Sequence, residues 1–207
     1  MPPQKANLKA RLGVGKGAKS PMLRIERNTD MNTLAQLATD PETLLFGYGE
    51  TDLGQIVVAE TGRGVAALFL GEDRAKLLCD LEQAFPRARL VLDQAALETT
   101  ICRACAMINT PRAAVELPLD LRGSPVEMAV WRALMSIPIG ETRTYGEIAR
   151  NLPIAATAQE VGAACAANRI AVAVPCHRVV KADGSVAGYR WGVKRKLHLI
   201  NREGVDL

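Results

Sequence analysis

The chain has 207 residues, a formal net charge of +4 and an isoelectric point near 8.9. This length is sufficient for one large or two small domains, and the mild excess of basic residues permits nucleic-acid binding without requiring it. Aromatic residues make up only 4% of the chain, which argues against a stacking platform for single-stranded nucleic acid. No apolar run reaches the roughly 18–20 residues of a membrane span. We therefore expect no membrane partner.

Cysteine usage indicates free thiols. The five cysteines are Cys79, Cys102, Cys105, Cys165 and Cys176. An odd number and the lack of a recognisable signal peptide favour a reducing cytoplasm. Cys102 and Cys105 have the spacing of a zinc knuckle, but no second Cys or His pair completes four ligands. We expect two cysteines buried on a helix, and no metal or other cofactor.

The first half of the chain predicts a small α/β unit. Residues 1–43 form a basic leader that we expect to be flexible, with a short helix within 31–43. Strands are predicted over residues 44–50, 55–60 and 64–70, and the short turns between them imply antiparallel pairing. Helices are predicted over 72–85 and 94–107, with another possible strand over 89–92. This domain, residues 44–116, shows no recognisable cluster of catalytic or metal-binding residues. We expect it to support the second domain structurally.

The second domain, residues 117–207, contains three predicted helix N-termini with the same sequence pattern. Ser124, Thr144 and Thr157 each precede a glutamate by three residues, which is the spacing of a capping box. Helices are predicted over residues 125–137, 145–152 and 158–168, and another over 191–201. The short connection over 153–157 makes the middle two resemble a helix-turn-helix, whose second helix ordinarily meets DNA. Small side chains on one face of that second helix would let its backbone come close to a partner. Such a face is equally typical of close helix packing within a core.

A candidate reactive centre follows these helices. The apolar residues 170–174 predict a short buried strand or extended segment, and Pro175 then precedes Cys176 and His177. A thiolate, not a thiol, is the nucleophile, and a nearby imidazole helps to generate it. The pair alone is weak evidence, because a buried inert cysteine beside a histidine is common.

The wider pattern is more specific. The run from Pro175 to Val180, with Asn168 upstream and the Gly188–Gly192 segment downstream, resembles the O6-alkylguanine-DNA alkyltransferase family, and above all the C-terminal half of bacterial adaptive-response (Ada) proteins. The similarity extends over residues 44–205. It implies an α/β (α+β) fold: an N-terminal ribonuclease H-like three-stranded antiparallel sheet with helices, followed by a mostly helical, winged-helix-like domain with a helix-turn-helix.

The resemblance also implies roles for individual residues. Cys176 accepts the alkyl group, His177 acts as base through a bound water, and Glu203 orients the imidazole. Tyr145 lies near the everted base and its 3′ phosphate. Asn168 is the hinge between the recognition helix and the active-site segment.

Further family positions concern the substrate. The pocket loop contributes Gly188, Tyr189 and Arg190, and backbone groups of Val179 and Ala173 read the base edges. The expected DNA contacts are Ala158, Gln159, Gly162, Ala163, Ala166 and Arg178. Ala171 stands where some members carry proline, which suggests a roomier pocket.

One position departs from the family. Nine residues before the hinge asparagine, members carry an arginine that fills the space left by the everted base, whereas this chain has Gln159. Glutamine can hydrogen-bond to the orphaned cytosine but lacks the charge and planar fork of arginine. We therefore predict weaker binding to duplex DNA than in a typical member.

The function implied is DNA repair by a monomer that acts once. The alkyl group of O6-alkylguanine, or of O4-alkylthymine, in double-stranded DNA moves irreversibly to Cys176. A non-catalytic alkyltransferase-like protein that binds lesions is the alternative, although such proteins lack the reactive cysteine. A cysteine hydrolase is disfavoured because its histidine normally comes from a distant segment.

Overall fold

In the computed structural model, residues 41–112, 115–186 and 188–205 are described. Residues from Pro41 onward form one compact unit. Residues 1–40 lie outside the described residues. They include most of the expected basic leader and most of the segment, residues 31–43, in which a short helix is expected. No helix in the described part of the chain has both the length and the apolar character that a membrane crossing requires.

A four-stranded sheet forms the first half. Strands β1 (Thr43–Thr51), β2 (Gly54–Thr61) and β3 (Gly64–Gly71) are antiparallel, and β4 (Arg89–Leu92) pairs with β1 in parallel, in the order β3-β2-β1-β4. The α/β class is confirmed, but the sheet expected to have three strands has four. The fourth strand can be parallel because helix α1 (Arg74–Ala84) lies between β3 and β4 in sequence, and parallel pairing needs a long crossover.

Helices α1 and α2 (Glu98–Asn109) pack against the sheet. Each buries an apolar stripe, with Leu77 and Leu81 on α1 and Ile101 and Ile108 on α2. Cys102 is exposed on α2, so the expectation of two helix-buried cysteines is wrong for that residue. The apolar stripe passes through positions 101, 104 and 108, which places residue 102 on the outer face.

The second half is mainly helical. It contains α3 (Pro125–Met135), α4 (Tyr145–Asn151), α5 (Ala158–Ala167) and α6 (Val193–Arg202), and the short strands β5 (Arg143–Thr144) and β6 (Val179–Val180) pair in parallel. All three capping boxes are present, at Ser124, Thr144 and Thr157. Each satisfies backbone donors that the first turn of a helix leaves unpaired.

The segment before the cysteine is a turn, not the strand or extended segment predicted over residues 170–174. Ile170 makes an isolated parallel bridge to Leu68 at the outer edge of β3, and the chain then turns through residues 171–173. Val172 has φ of +65°, which is strained for a β-branched residue. Apolar composition predicted burial correctly, but it carried no information on the turn. The edge of β3 thus fixes where the reactive segment begins.

Candidate active site

Cys176 begins a short 3₁₀ helix, Cys176–Arg178, and its side chain is only 3% exposed. Asn168, the C-cap of α5, donates from Nδ2 to Cys176 Sγ at 3.3 Å and to the Val174 carbonyl at 2.9 Å. Its Oδ1 accepts from the Ile170 amide at 2.8 Å. One buried amide therefore ties the end of α5 to the turn and to the sulfur.

Burial raises the pKa of the Cys176 thiol to about 11, although the hydrogen bond from Asn168 and the charge of Lys196 act in the opposite direction. The sulfur is therefore protonated at neutral pH in the protein alone. A nearby base must take the proton before the sulfur can act as a nucleophile.

His177 follows Cys176 directly in the chain, and it is fully buried. Its Nε2 lies 2.9 Å from Glu203 Oε1. Burial lowers the pKa of the imidazole, so the ring is neutral near pH 7. A neutral ring facing a carboxylate carries its proton on Nε2, a tautomer assigned from this hydrogen bond. The lone pair then resides on Nδ1, which is buried and has no hydrogen-bond partner among the described residues.

Glu203 is the C-cap of α6 and is 2% exposed. Burial by itself would raise the pKa of its carboxyl, but hydrogen bonds from His177 and Arg178 outweigh burial and lower that pKa to about 2. Arg178 donates to both carboxylate oxygens at 2.9 Å. Glu203 is therefore a fixed carboxylate that holds the imidazole in one orientation.

Arg178 was expected to contact DNA, but its side chain is directed into the protein. Its side chain is 11% exposed, and its remaining Nη1 donates to the Ile137 carbonyl at 2.6 Å. With its donors directed at Glu203 and this carbonyl, the guanidinium positions Glu203 instead of facing a phosphate.

Lys196 is a residue that the sequence analysis missed. It is fully buried on α6, and its Nζ donates to the Val179 carbonyl at 2.5 Å. Burial lowers its pKa, while the Cys176 and Cys165 side chains act in the opposite direction. The signal was available: Lys196 precedes Leu199 and Ile200 by three and four residues, on the buried face of the helix.

A cavity of about 280 Å³ opens beside the cysteine. It is lined by Tyr145, Gly162, Cys165, Ala166, Cys176, Gly188, Tyr189 and Arg190. Burial raises the pKa of Tyr145 to about 12 and that of Tyr189 well above its ordinary value, so both phenols keep their protons at neutral pH. The Tyr189 hydroxyl is buried and has no partner among the described residues.

Val179 and Ala173, whose backbone groups are expected to read the base edges, are not among the residues that line this cavity. The Val179 carbonyl accepts from Lys196, and its amide donates to the Cys176 carbonyl. Ala173 lines a different cleft, together with Pro175 and Glu203. Ala171 is fully buried and is not among the residues that line the cavity, so it gives no support to a roomier pocket.

Helix α5 has a surface of small side chains. Ala158, Gln159, Ala163 and Ala166 are exposed on it, and Gly162 is partly exposed beside the cavity. Its only charged residue is Glu160, which is engaged in the capping box with Thr157. The helix therefore offers close backbone approach but no cation.

Comparison with known proteins identifies the family. Residues 125–205 match the model for the 6-O-methylguanine DNA methyltransferase, DNA binding domain. The chain is 40% identical over 158 residues to the bifunctional transcriptional activator/DNA repair enzyme Ada of Escherichia coli, covering 76% of this chain and 45% of that protein. It is 36% identical over 174 residues to the methylated-DNA–protein-cysteine methyltransferase of Candida albicans, covering 79% of this chain and 98% of that protein.

A solved structure agrees with these relatives. The Mycobacterium tuberculosis OGT in complex with DNA is 32% identical, with a TM-score of 0.65 over 77% of this chain and 92% of that chain. The chain therefore belongs to the O6-alkylguanine-DNA alkyltransferase family, also called the methylated-DNA–protein-cysteine methyltransferases. It spans about half the length of the Ada proteins that it matches.

Proposed function

We propose that this protein repairs DNA by moving the alkyl group of O6-alkylguanine to Cys176, once per molecule. The observation that carries the proposal is the arrangement around the sulfur. A buried thiol lines a cavity, and the adjacent imidazole is held by Glu203, with an unprotonated Nδ1 that has no partner within the described parts of the chain. This is the nucleophile, base and orienter of nucleophilic catalysis.

The reaction balances with these groups. The Cys176 proton passes to His177 Nδ1 through one water, and the thiolate attacks the alkyl carbon. The bond from that carbon to O6 breaks, and the departing guanine takes a proton from the Tyr145 hydroxyl, which regains one from the His177 imidazolium through solvent. The product is a thioether, which has no good leaving group, so water cannot regenerate the thiol. The protein is consumed with each lesion.

Access to the base is proposed to occur through α5. Its small exposed side chains suit a close approach to DNA, and the relative in complex with DNA supports a DNA partner. Everting a base costs a few kcal/mol, and less when its pairing is already damaged. O6-alkylguanine has lost the proton on N1 and pairs poorly, so it is everted more easily than an undamaged guanine.

We further propose that the protein acts as a monomer in the bacterial cytoplasm or nucleoid and needs no cofactor. O4-alkylthymine is proposed as a second substrate.

The alternative is a lesion-binding protein without alkyl transfer. The lack of a cation on α5 is the feature that favours it, because a helix without a positive charge holds an opened duplex less firmly. Cys176 and its base favour transfer, since a binding protein has no use for either group.

Intact-protein mass spectrometry separates these functions. The protein is incubated with duplex oligonucleotide containing O6-methylguanine and digested to locate any adduct, with Cys176→Ser as the control. We expect one methyl group on Cys176 and none on the variant. Binding of the damaged duplex with unchanged protein mass would establish the lesion-binding alternative, and catalytic turnover of an ester would indicate a hydrolase.

A further inference from the structure

One wall of the cavity is made from very small side chains of a single helix. Gly162, Cys165 and Ala166 of α5 all line it, at spacings of three and four residues that place them on one helix face. Two aromatic side chains, Tyr145 and Tyr189, contribute to the rest of the lining. Space along this wall is therefore limited by the largest of the three side chains, which is Cys165.

Cys165 lies near the reacting sulfur. Cys165 and Cys176 line the same cavity, and burial raises the pKa of Cys165 to about 12. Asn168 links them, because its amide nitrogen donates to the Cys165 carbonyl at 3.4 Å while its side chain donates to Cys176 Sγ. The ammonium of Lys196 acts on both thiols.

The raised pKa decides what Cys165 does there. A thiol with a pKa of about 12 remains protonated and is a poor nucleophile at neutral pH, so Cys165 does not compete for the alkyl group. It is a small, weakly polar side chain, and its effect in the cavity is through its volume.

Other lining positions leave more room. A Cβ added at Gly162 would meet Tyr145 Cε1 at 3.9 Å, an ordinary contact, and one added at Gly188 would meet nothing within 4 Å. The alkyl carbon must approach Cys176 Sγ during transfer, so the rest of the alkyl chain lies beside that sulfur. Among these small side chains, Cys165 is the one placed to limit the chain.

We propose that Cys165 is a specificity-determining residue that sets the largest O6-alkyl group the protein accepts. This inference rests on the proposed alkyl transfer to Cys176. A methyl group needs little space beside the sulfur, whereas a butyl group needs the space that Cys165 leaves open. One methylene in an apolar pocket changes relative rates by roughly 10–200-fold, so a change of side-chain volume at this position should be easy to measure.

The test compares rates of alkylation of Cys176 by duplex oligonucleotides carrying O6-butylguanine or O6-methylguanine. Cys165→Leu should lower the butyl-to-methyl rate ratio at least tenfold, and Cys165→Ala should raise it. The matched control is Cys102→Leu, the same substitution at an exposed position of α2, which should leave the ratio at the wild-type value.

A ratio unchanged in a Cys165→Leu protein with wild-type circular dichroism would overturn the inference. If Cys165→Leu fails to fold, Cys165→Ala decides, and a ratio no higher than that of the wild type would equally overturn it. These outcomes are distinct from failure of the proposed function, in which the wild-type protein takes up neither alkyl group.

Discussion

We expect the interaction of Glu203 with His177 and Arg178 to make the free energy of unfolding depend on pH by an amount that can be worked out. Glu203→Gln preserves the size of the side chain and an oxygen that can accept from His177. It removes the negative charge that faces the Arg178 guanidinium in a buried site. Because glutamine does not titrate, the variant isolates the contribution of one carboxyl group.

The magnitude follows from the pKa. That of Glu203 is lowered from 4.5 to about 2, or about 2.5 units, and each unit corresponds to about 1.4 kcal/mol. Ionised Glu203 therefore adds about 3 kcal/mol to the free energy of unfolding at neutral pH. A group whose folded-state pKa is lowered contributes stability above its unfolded pKa and loses it as the pH falls through its folded pKa. The difference between wild type and variant should thus shrink by about 3 kcal/mol between pH values of about 5 and 2.

Urea unfolding followed by tryptophan fluorescence measures this difference, since Trp131 and Trp191 are both buried in the second half of the chain. The control is Glu82→Gln, at an exposed position of α1, which should follow the wild-type profile. If the stability profiles of wild type and Glu203→Gln stay parallel across this pH range, the carboxylate is not held as described and the reasoning is wrong.

Three other substitutions test the rest of the site. Lys196→Met removes the ammonium beside Cys176, so the thiol pKa should rise and alkyl transfer at neutral pH should slow about tenfold or more, with the pH–rate profile moved to higher pH. Asn168→Ala removes three buried hydrogen bonds and should lower the free energy of unfolding by about 3 kcal/mol, measured in urea. Gln159→Arg adds the missing cation to α5 and should speed repair of duplex DNA while leaving the reaction with free O6-alkylguanine base unchanged. An equal effect on both substrates would contradict our account of this position.

Local signals in the sequence predicted most of the elements. The predicted strands lie within two residues of the observed ends because turns with Gly54 and Gly64 separate them, both at positive φ where glycine is favoured. The three helix starts were predicted correctly because a capping box is a local hydrogen-bond pattern between residues three apart.

Long-range features were not predictable from such signals. The parallel pairing of Arg89–Leu92 with β1 depends on how α1 packs, and the turn after Ile170 depends on its bridge to Leu68. At the site, Arg178 and Lys196 were misjudged or missed because basic side chains are normally exposed. Their burial becomes intelligible only when the fold places Glu203 and the Val179 carbonyl within their reach.

The high pKa of Cys176 is consistent with a sulfur that reacts once. At neutral pH, a pKa of about 11 means that forming the thiolate costs roughly 5 kcal/mol, at about 1.4 kcal/mol per unit. Oxidation and adventitious alkylation both require thiolate character and access, so burial protects the unused protein. The proposed role of His177 is to take the proton when a base occupies the cavity, with Glu203 stabilising the charge that forms on the imidazole. Burial therefore protects the sulfur, and the buried imidazole and carboxylate beside it allow the same sulfur to react.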